Sequence, residues 1–220
     1  MKIYKKLIIL FLVVTIIPTF FIGCLIFYNA SSSLEKEIFS KLTAVADLKV
    51  DKLENYFDSL RDNVHIAQGY YNIKINLPIM IDFAKDRTHP TYIKAKEMLD
   101  KQLCEWLKVK EEVVDIMLVS PEGKIVYAAD EEHLKWDLDK PLPDPAATAF
   151  AEGKKGVFIS QVFRNSFEGS SNKFWMRVTA PIFDFENRII GVIAFEISME
   201  PIYKFIRDNY CLVLNSLFKL

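Results

Sequence analysis

Cysteine, histidine and net charge are all scarce in this chain, and each scarcity removes a class of function. Its three cysteines, Cys24, Cys104 and Cys211, are odd in number and scattered over 220 residues, so neither a disulfide framework nor a metal-ligand spacing can be read from them. His65, His89 and His133 stand far apart and read as surface or linker side chains rather than zinc ligands. A net charge of −1 and a pI near 6.3 provide no basic field for a nucleic acid. The sequence also lacks a Gly-x-Ser-x-Gly elbow, a His-Glu-x-x-His helix, a phosphate loop and paired catalytic acids at a telling spacing, which argues against an enzyme. Asp130-Glu131-Glu132 reads as a solvated turn, and no metal or cofactor is implied.

Charge is missing altogether from Leu7 to Tyr28, a run of 22 mostly apolar residues led by Lys2, Lys5 and Lys6. As a helix it extends ~33 Å, enough for a hydrocarbon core of ~30 Å. The lysines precede it and no acid appears before Glu35, so the positive-inside rule keeps the N-terminus cytoplasmic and sends Asn29 onward to the periplasm or exterior. A cleaved signal peptide is the alternative, but its apolar region is usually ~7–15 residues with a small-x-small site behind it. The run therefore predicts a retained single-pass anchor in the inner or cell membrane. Pro18 and Gly23 are compatible with a span.

Beyond the anchor, Ser31 to Ser33 can cap a helix, and Leu34, Ile38, Leu42, Val45, Leu53, Leu60 and Val64 recur at near-heptad spacing without Gly or Pro up to Gln68. The stripe suits either a second copy of the chain or the chain's own domain. Gly69 and Pro78 break the pattern, Ile79 to Lys85 reads as a short helical turn, and Tyr92 to Lys110 as a second amphipathic helix.

Val113 to Val119 and Ile125 to Ala129 form a strand-turn-strand around Ser120-Pro121-Glu122-Gly123-Lys124, where Gly123 supplies a positive φ. A proline-containing stretch leads to a short helix, Ala146 to Ala151, closed by Gly153. Strands Val157 to Val162, Lys173 to Phe183 and Arg188 to Ser198 follow, and Met199 to Asn209 returns to helix. The predicted fold is α+β: an N-terminal transmembrane helix, a long exit helix, and a PAS-like five-stranded antiparallel sheet flanked by helices. One sheet face is expected to take the long helix and the other to hold a cavity. The expected organisation is a cytoplasmic N-terminus (1–6), the span (7–29), helix and connector (30–110), sheet module (111–209) and an atypical tail (210–220).

The order of anchor, exit helix, "DIMLVSPEGKIVYAAD", "FWMRVTAPIFDFENRIIGVIAFEIS" and "MEPIYKFI" resembles the extracytoplasmic Cache domain, in particular the membrane-distal half of double-Cache sensors on chemoreceptors, histidine kinases and diguanylate cyclases. The resemblance covers about Ser31 to Asn209 and implies sensing of a small solute outside, with a signal passed inward, rather than catalysis. It places Tyr127, Asp130, Arg164, Trp175, Arg177 and Glu196 near the cavity or its rim. Residue type assigns roles: Glu196 interrupts an apolar strand and needs a cationic partner, either Arg177 or a ligand ammonium group. Arg177 or Arg164 can grip a carboxylate, and Trp175 and Tyr127 can form walls or a cation-attracting face. A plain cross-strand Glu196–Arg177 salt bridge, with Trp175 as core packing, is the competing reading.

Two departures from the family bear on this. Where amino-acid-sensing members carry Arg-x-Trp-Tyr, the chain has "PLPDPAA" from Pro141 to Ala147, and Phe163 replaces an expected phenol, which speaks against a generic α-amino-acid ligand. After Tyr210 it reads "CLVLNSLFKL", where a membrane-proximal module, second span and output domain are expected. The sequence thus predicts the input region of a truncated receptor, binding a small solute, possessing a membrane anchor and forming a homodimer through its long helix. A signalling-silent remnant or anchored interaction module is the alternative.

Overall fold

The computed structural model describes residues 3–110, 112–130, 146–164 and 174–207. The chain divides into two compact units, Met1–Leu53 and Glu54–Leu220.

Helix α1 runs unbroken over Ile3–Gln68. The predicted anchor and exit helix are one element, and Ser31–Ser33 lie inside it rather than capping a new start. Between Gly23 and Gly69 no glycine or proline interrupts the ladder, and serines cost a helix interior only a few tenths of a kcal/mol. In the first unit the helix is long and apolar enough to cross a membrane, and its most apolar window buries nothing within the protein.

The second unit holds the core. Helix α2, Tyr71–Asp82, starts eight residues before the expected turn and keeps Pro78 in its interior. Ile73, Leu77 and Met80 are fully buried on one face, and this packing outweighs the hydrogen bond that Pro78 removes. Helix α3, Pro90–Val109, begins on His89, whose Nδ1 accepts from the Thr91 amide at 3.2 Å. Pro90 at its first position carries no amide to satisfy.

Strands β1 (Val113–Val119) and β2 (Ile125–Ala128) meet through the turn at Ser120–Lys124. Gly123 has φ +84°, in the left-handed region, and its amide donates to the Ser120 carbonyl at 2.9 Å. Gly123→Ala is expected to cost about 1–2 kcal/mol from the backbone alone, read as a lowered denaturant midpoint at unchanged slope. Helix α4 (Ala146–Gly153) follows, then β3 (Phe158–Ile159), β4 (Phe163–Arg164), β5 (Phe174–Phe183) and β6 (Ile189–Ser198). Residues 200–207 form helix α5. The remainder of the expected last helix, the tail, His133 and the "PLPDP" part of the proline-rich stretch lie outside the described residues.

The sheet is antiparallel with order β2-β1-β6-β5-β3, and β4 also pairs β5. It has six strands rather than five because the expected third strand, Val157 to Val162, holds its ladder only at Phe158–Ile159, and Phe163–Arg164 just beyond it pairs β5 separately. Between the two, Ser160 Oγ accepts from the Arg177 amide at 2.9 Å while the Ser160 amide donates to the Arg177 carbonyl at 2.8 Å, so a side chain fills one rung of the ladder. The strand order, with β3 and β4 sharing one place, is the PAS-like arrangement expected.

Both faces are covered. On one, Phe195 meets Trp106 of α3 edge to face at 5.7 Å, and Gly191 lies under Leu77 of α2. On the other, Met117, Val119, Ile125, Ala128, Val192 and Ala194 form a cluster against Phe150 of α4. Thr179 fastens that helix by donating to the Ala149 carbonyl at 2.9 Å.

Candidate functional site

Period-two alternation and the observed register decide which polar side chains share the α4 face. Arg177 is the Cα partner of Glu196, Trp175 of Ser198, and Phe163 of Trp175; across β6, Glu196 is the partner of Asp115. Partners in an antiparallel ladder project to the same side. Phe163, Trp175, Arg177, Glu196 and Asp115 therefore lie together on the face that also carries α4.

Glu196 sits within an otherwise apolar strand with 3% of its side chain exposed, and Arg177 keeps 13%. Arg177 Nε donates to Glu196 Oε1 at 2.7 Å, and Nη2 reaches the same oxygen. The guanidinium carbon lies 4.7 Å from the Phe163 ring centroid, so one arginine is held between a carboxylate and an aromatic face. The cross-strand salt bridge is thus real, and Trp175 is largely buried beside it.

Asp115 was visible as the single charge in strand β1, yet it was not among the expected site residues. It is fully buried, and its Oδ1 accepts from the Ile116 amide at 2.7 Å and from the Asp130 amide at 2.8 Å. Asp115 thereby ties the end of β2, where Asp130 sits, to β1. Phe163, read only as the replacement of a phenol, supplies the ring under Arg177.

Two expected residues lie on the opposite face. Arg164 is exposed and stacks over Phe174, 5.4 Å from its centroid. Tyr127 is buried on the α3 side, donating to Asp100 Oδ1 at 2.9 Å, while Lys96 Nζ donates to Oδ2 at 2.7 Å. The structure brings together Trp175, Arg177 and Glu196, places the Asp130 amide beside Asp115, and does not bring Tyr127 or Arg164 to that face.

Burial first, and the Asp100 carboxylate second, push the Tyr127 phenol far above its ordinary range. A raised folded-state value means the neutral phenol is favoured by the fold, so its contribution is complete below about pH 10 and is lost as pH rises through that value. Tyr127→Phe is expected to lose about 1–3 kcal/mol at neutral pH, because Asp100 loses a donor, and to flatten the fall in stability above about pH 10. Chemical denaturation at pH 7 and pH 10.5 checks both; an unchanged alkaline slope would count against the phenol's role.

Among the described residues no group of three His, Cys, Asp or Glu side chains is placed to hold a metal ion. What the elements define is an α+β module with a PAS-like sheet, helices α2 and α3 on one face, and an ion-paired polar cluster beside α4 on the other. No protein-family model matches the sequence, and no curated protein matches it. Among solved structures the chain is similar to the sensor domain of the V. cholerae histidine kinase DctB, at 14% identity over 70% of this chain and 53% of that one, with a TM-score of 0.46. It is similar to the ligand-binding domain of the Campylobacter jejuni chemoreceptor Tlp3 in complex with 4-methylisoleucine, at 11% identity over 70% and 56%, with a TM-score of 0.47. A third is the ligand-binding domain of Mlp24 with asparagine, at 15% identity over 76% and 61%, with a TM-score of 0.46. The chain spans between 53% and 61% of the length of those three chains. All three of those proteins are sensor or ligand-binding domains.

Proposed function

We propose that the chain is the small-solute-sensing input region of a membrane-anchored signal-transduction receptor. The observation that carries the reading is the buried polar cluster of Arg177, Glu196 and Asp115 on a sheet face that otherwise packs apolar side chains. Such a cluster adds little to stability compared with apolar packing of the same volume, and a recognition role accounts for its presence. The apolar helix that opens the chain supports attachment to a membrane, with Lys2, Lys5 and Lys6 holding the N-terminus in the cytoplasm and the sheet module outside.

Within the first unit, Leu34, Phe39, Leu42, Leu48 and Val50 of α1 are exposed, which supports pairing with a second copy of the helix. The reading also implies that signalling output is supplied through sequence or partners beyond the described module.

The test is a thermal-shift screen of the full chain in detergent against small amines, carboxylates, amino acids, purines and sugars. A true ligand at a hundredfold over its dissociation constant adds about 2.7 kcal/mol of stability. The expected result is a compound that raises the melting temperature of wild type but not of folded Glu196→Gln. A cooperative melt that no compound moves would sink the sensing reading and favour an anchored interaction module.

A further inference from the structure

The face opposite the ion-paired cluster has an opening of its own, at the border where β3 meets α1. Glu54, Phe57, Asp58 and Arg61 of α1 and Ile159 of β3 line an open groove of about 410 Å³ there. We propose that this groove is a second small-molecule site, and that it takes an organic ammonium ion with a flat apolar body. It lies wholly within the second unit. It is separate from the cluster beside α4 and stands whether or not that cluster senses a solute.

Register places the groove. Ile159 is the Cα partner of Val178, and Val178 of Phe195, whose ring meets Trp106 of α3. Ile159 therefore projects to the α3 side of the sheet. The other residue of β3, Phe158, partners Thr179, which fastens α4 on the far side. So β3 offers the α3 side one side chain only, and α1 and the sheet border leave a gap above it. On α1 the four lining positions follow i, i+3, i+4 and i+7, one continuous strip of the helix.

The chemistry of the strip selects the ligand. Arg61 Nη1 donates to Asp58 Oδ1 at 2.7 Å, so that guanidinium and that carboxylate answer one another. Glu54 is exposed and has no hydrogen-bond or ion-pair partner among the described residues. It is the open charge of the lining, where two carboxylates face one guanidinium. Phe57 and Ile159, both half-buried, supply apolar surface, and the ring attracts a cation. An anion would have to draw Arg61 from Asp58 while passing Glu54. An ammonium ion pairs with Glu54 and disturbs nothing. The volume falls within the ~300–1,000 Å³ of small-molecule sites.

The experiment uses the full chain in detergent and the probe 2-phenylethylammonium, with 3-phenylpropionate and 2-phenylethanol as anionic and neutral probes of similar size. Binding in an open groove is weak, with a dissociation constant on the order of 1 mM expected for so small a ligand. Hydrogen exchange read by mass spectrometry locates the response. At ten times its dissociation constant the ammonium probe is expected to slow exchange of α1 residues 54–61 by about 11-fold, where those amides exchange when the helix leaves the sheet. Glu54→Lys is expected to abolish the effect. Glu54→Gln, which removes the charge alone, is expected to weaken binding about 2- to 5-fold, the range of an exposed ion pair. Glu196→Gln is expected to keep the response, and the carboxylate probe to give none.

A folded wild type in which the ammonium probe slows nothing over residues 54–61 overturns the site. Equal slowing by the alcohol, or slowing undiminished in folded Glu54→Lys and Glu54→Gln, overturns the ligand class. Slowing confined to α4, β5 and β6, and removed by Glu196→Gln, overturns the groove and supports the sensing reading. A saturable response over residues 54–61 in a protein whose α4 face answers no solute upholds the groove and leaves the sensing reading without support.

Discussion

Arg177→Ala lowers the stability of the second unit by about 3–5 kcal/mol, the expected cost of removing one partner from a buried ion pair. The loss comes less from the attraction given up than from the Glu196 carboxylate, which is held at 3% exposure and cannot turn to water. The converse substitution, Glu196→Gln, is milder, because Arg177 is the more exposed member and a glutamine oxygen still accepts from it. The double variant Arg177→Met, Glu196→Leu regains most of the loss, since apolar side chains of similar volume replace such pairs at little cost. A double-mutant cycle by urea denaturation measures the coupling between the two positions. A loss below about 1 kcal/mol for Arg177→Ala would place the pair with ordinary surface salt bridges and remove the premise of an expensive buried cluster.

Gly191→Ala is expected to be as damaging for a wholly different reason. A Cβ there would stand 2.5 Å from the Val119 carbonyl oxygen of β1 and 2.8 Å from Leu77 Cδ2 of α2. Leu77 can rotate, but the carbonyl belongs to the neighbouring strand and moves only if the β1–β6 ladder moves with it. Overpacking of this kind costs about 3 kcal/mol, at the upper end of its usual range. Gly156 has open space where its Cβ would be, so Gly156→Ala provides the control. It is expected to leave stability unchanged or raise it by about 0.4–1 kcal/mol through the unfolded chain. Equal melting temperatures for the two alanine variants would mean that α2 does not press on the sheet as closely as described.

Much of this fold was legible because strands announce themselves by composition. Val113–Val119 and the β5 and β6 runs fall within a residue of where apolar periodicity puts them. Glu196 was legible as a charge in an apolar strand, and its pairing with Arg177 followed once β5 and β6 were read as a hairpin. Tyr127 was not, and a single bulge is the reason. Leu118 partners Tyr127 while Val119 partners Ile125, so β2 holds one residue more than β1 opposes. Strict alternation from Ile125, which lies in the cluster under α4, turns Tyr127 to the same side; the extra residue sends it to Asp100 instead. Arg164 was misplaced by a simpler parity. Phe163 takes the inward position, so its neighbour points away. Pro78 misled for a further reason: sequence shows the lost hydrogen bond but not the three fully buried side chains that compensate for it.

The split between β3 and β4 has a bearing on how this protein behaves in a crowd. A long, flat strand at the border of a sheet is an open template for another chain's backbone. Here Phe158–Ile159 offers only two residues of ladder before residues 160–162 turn away, and the Ser160 hydroxyl oxygen already occupies the next inward amide. An intruding strand finds no continuous row of donors and acceptors to zip along, so the same interruption that shapes the wall over Arg177 also shields this border of the sheet from aggregation.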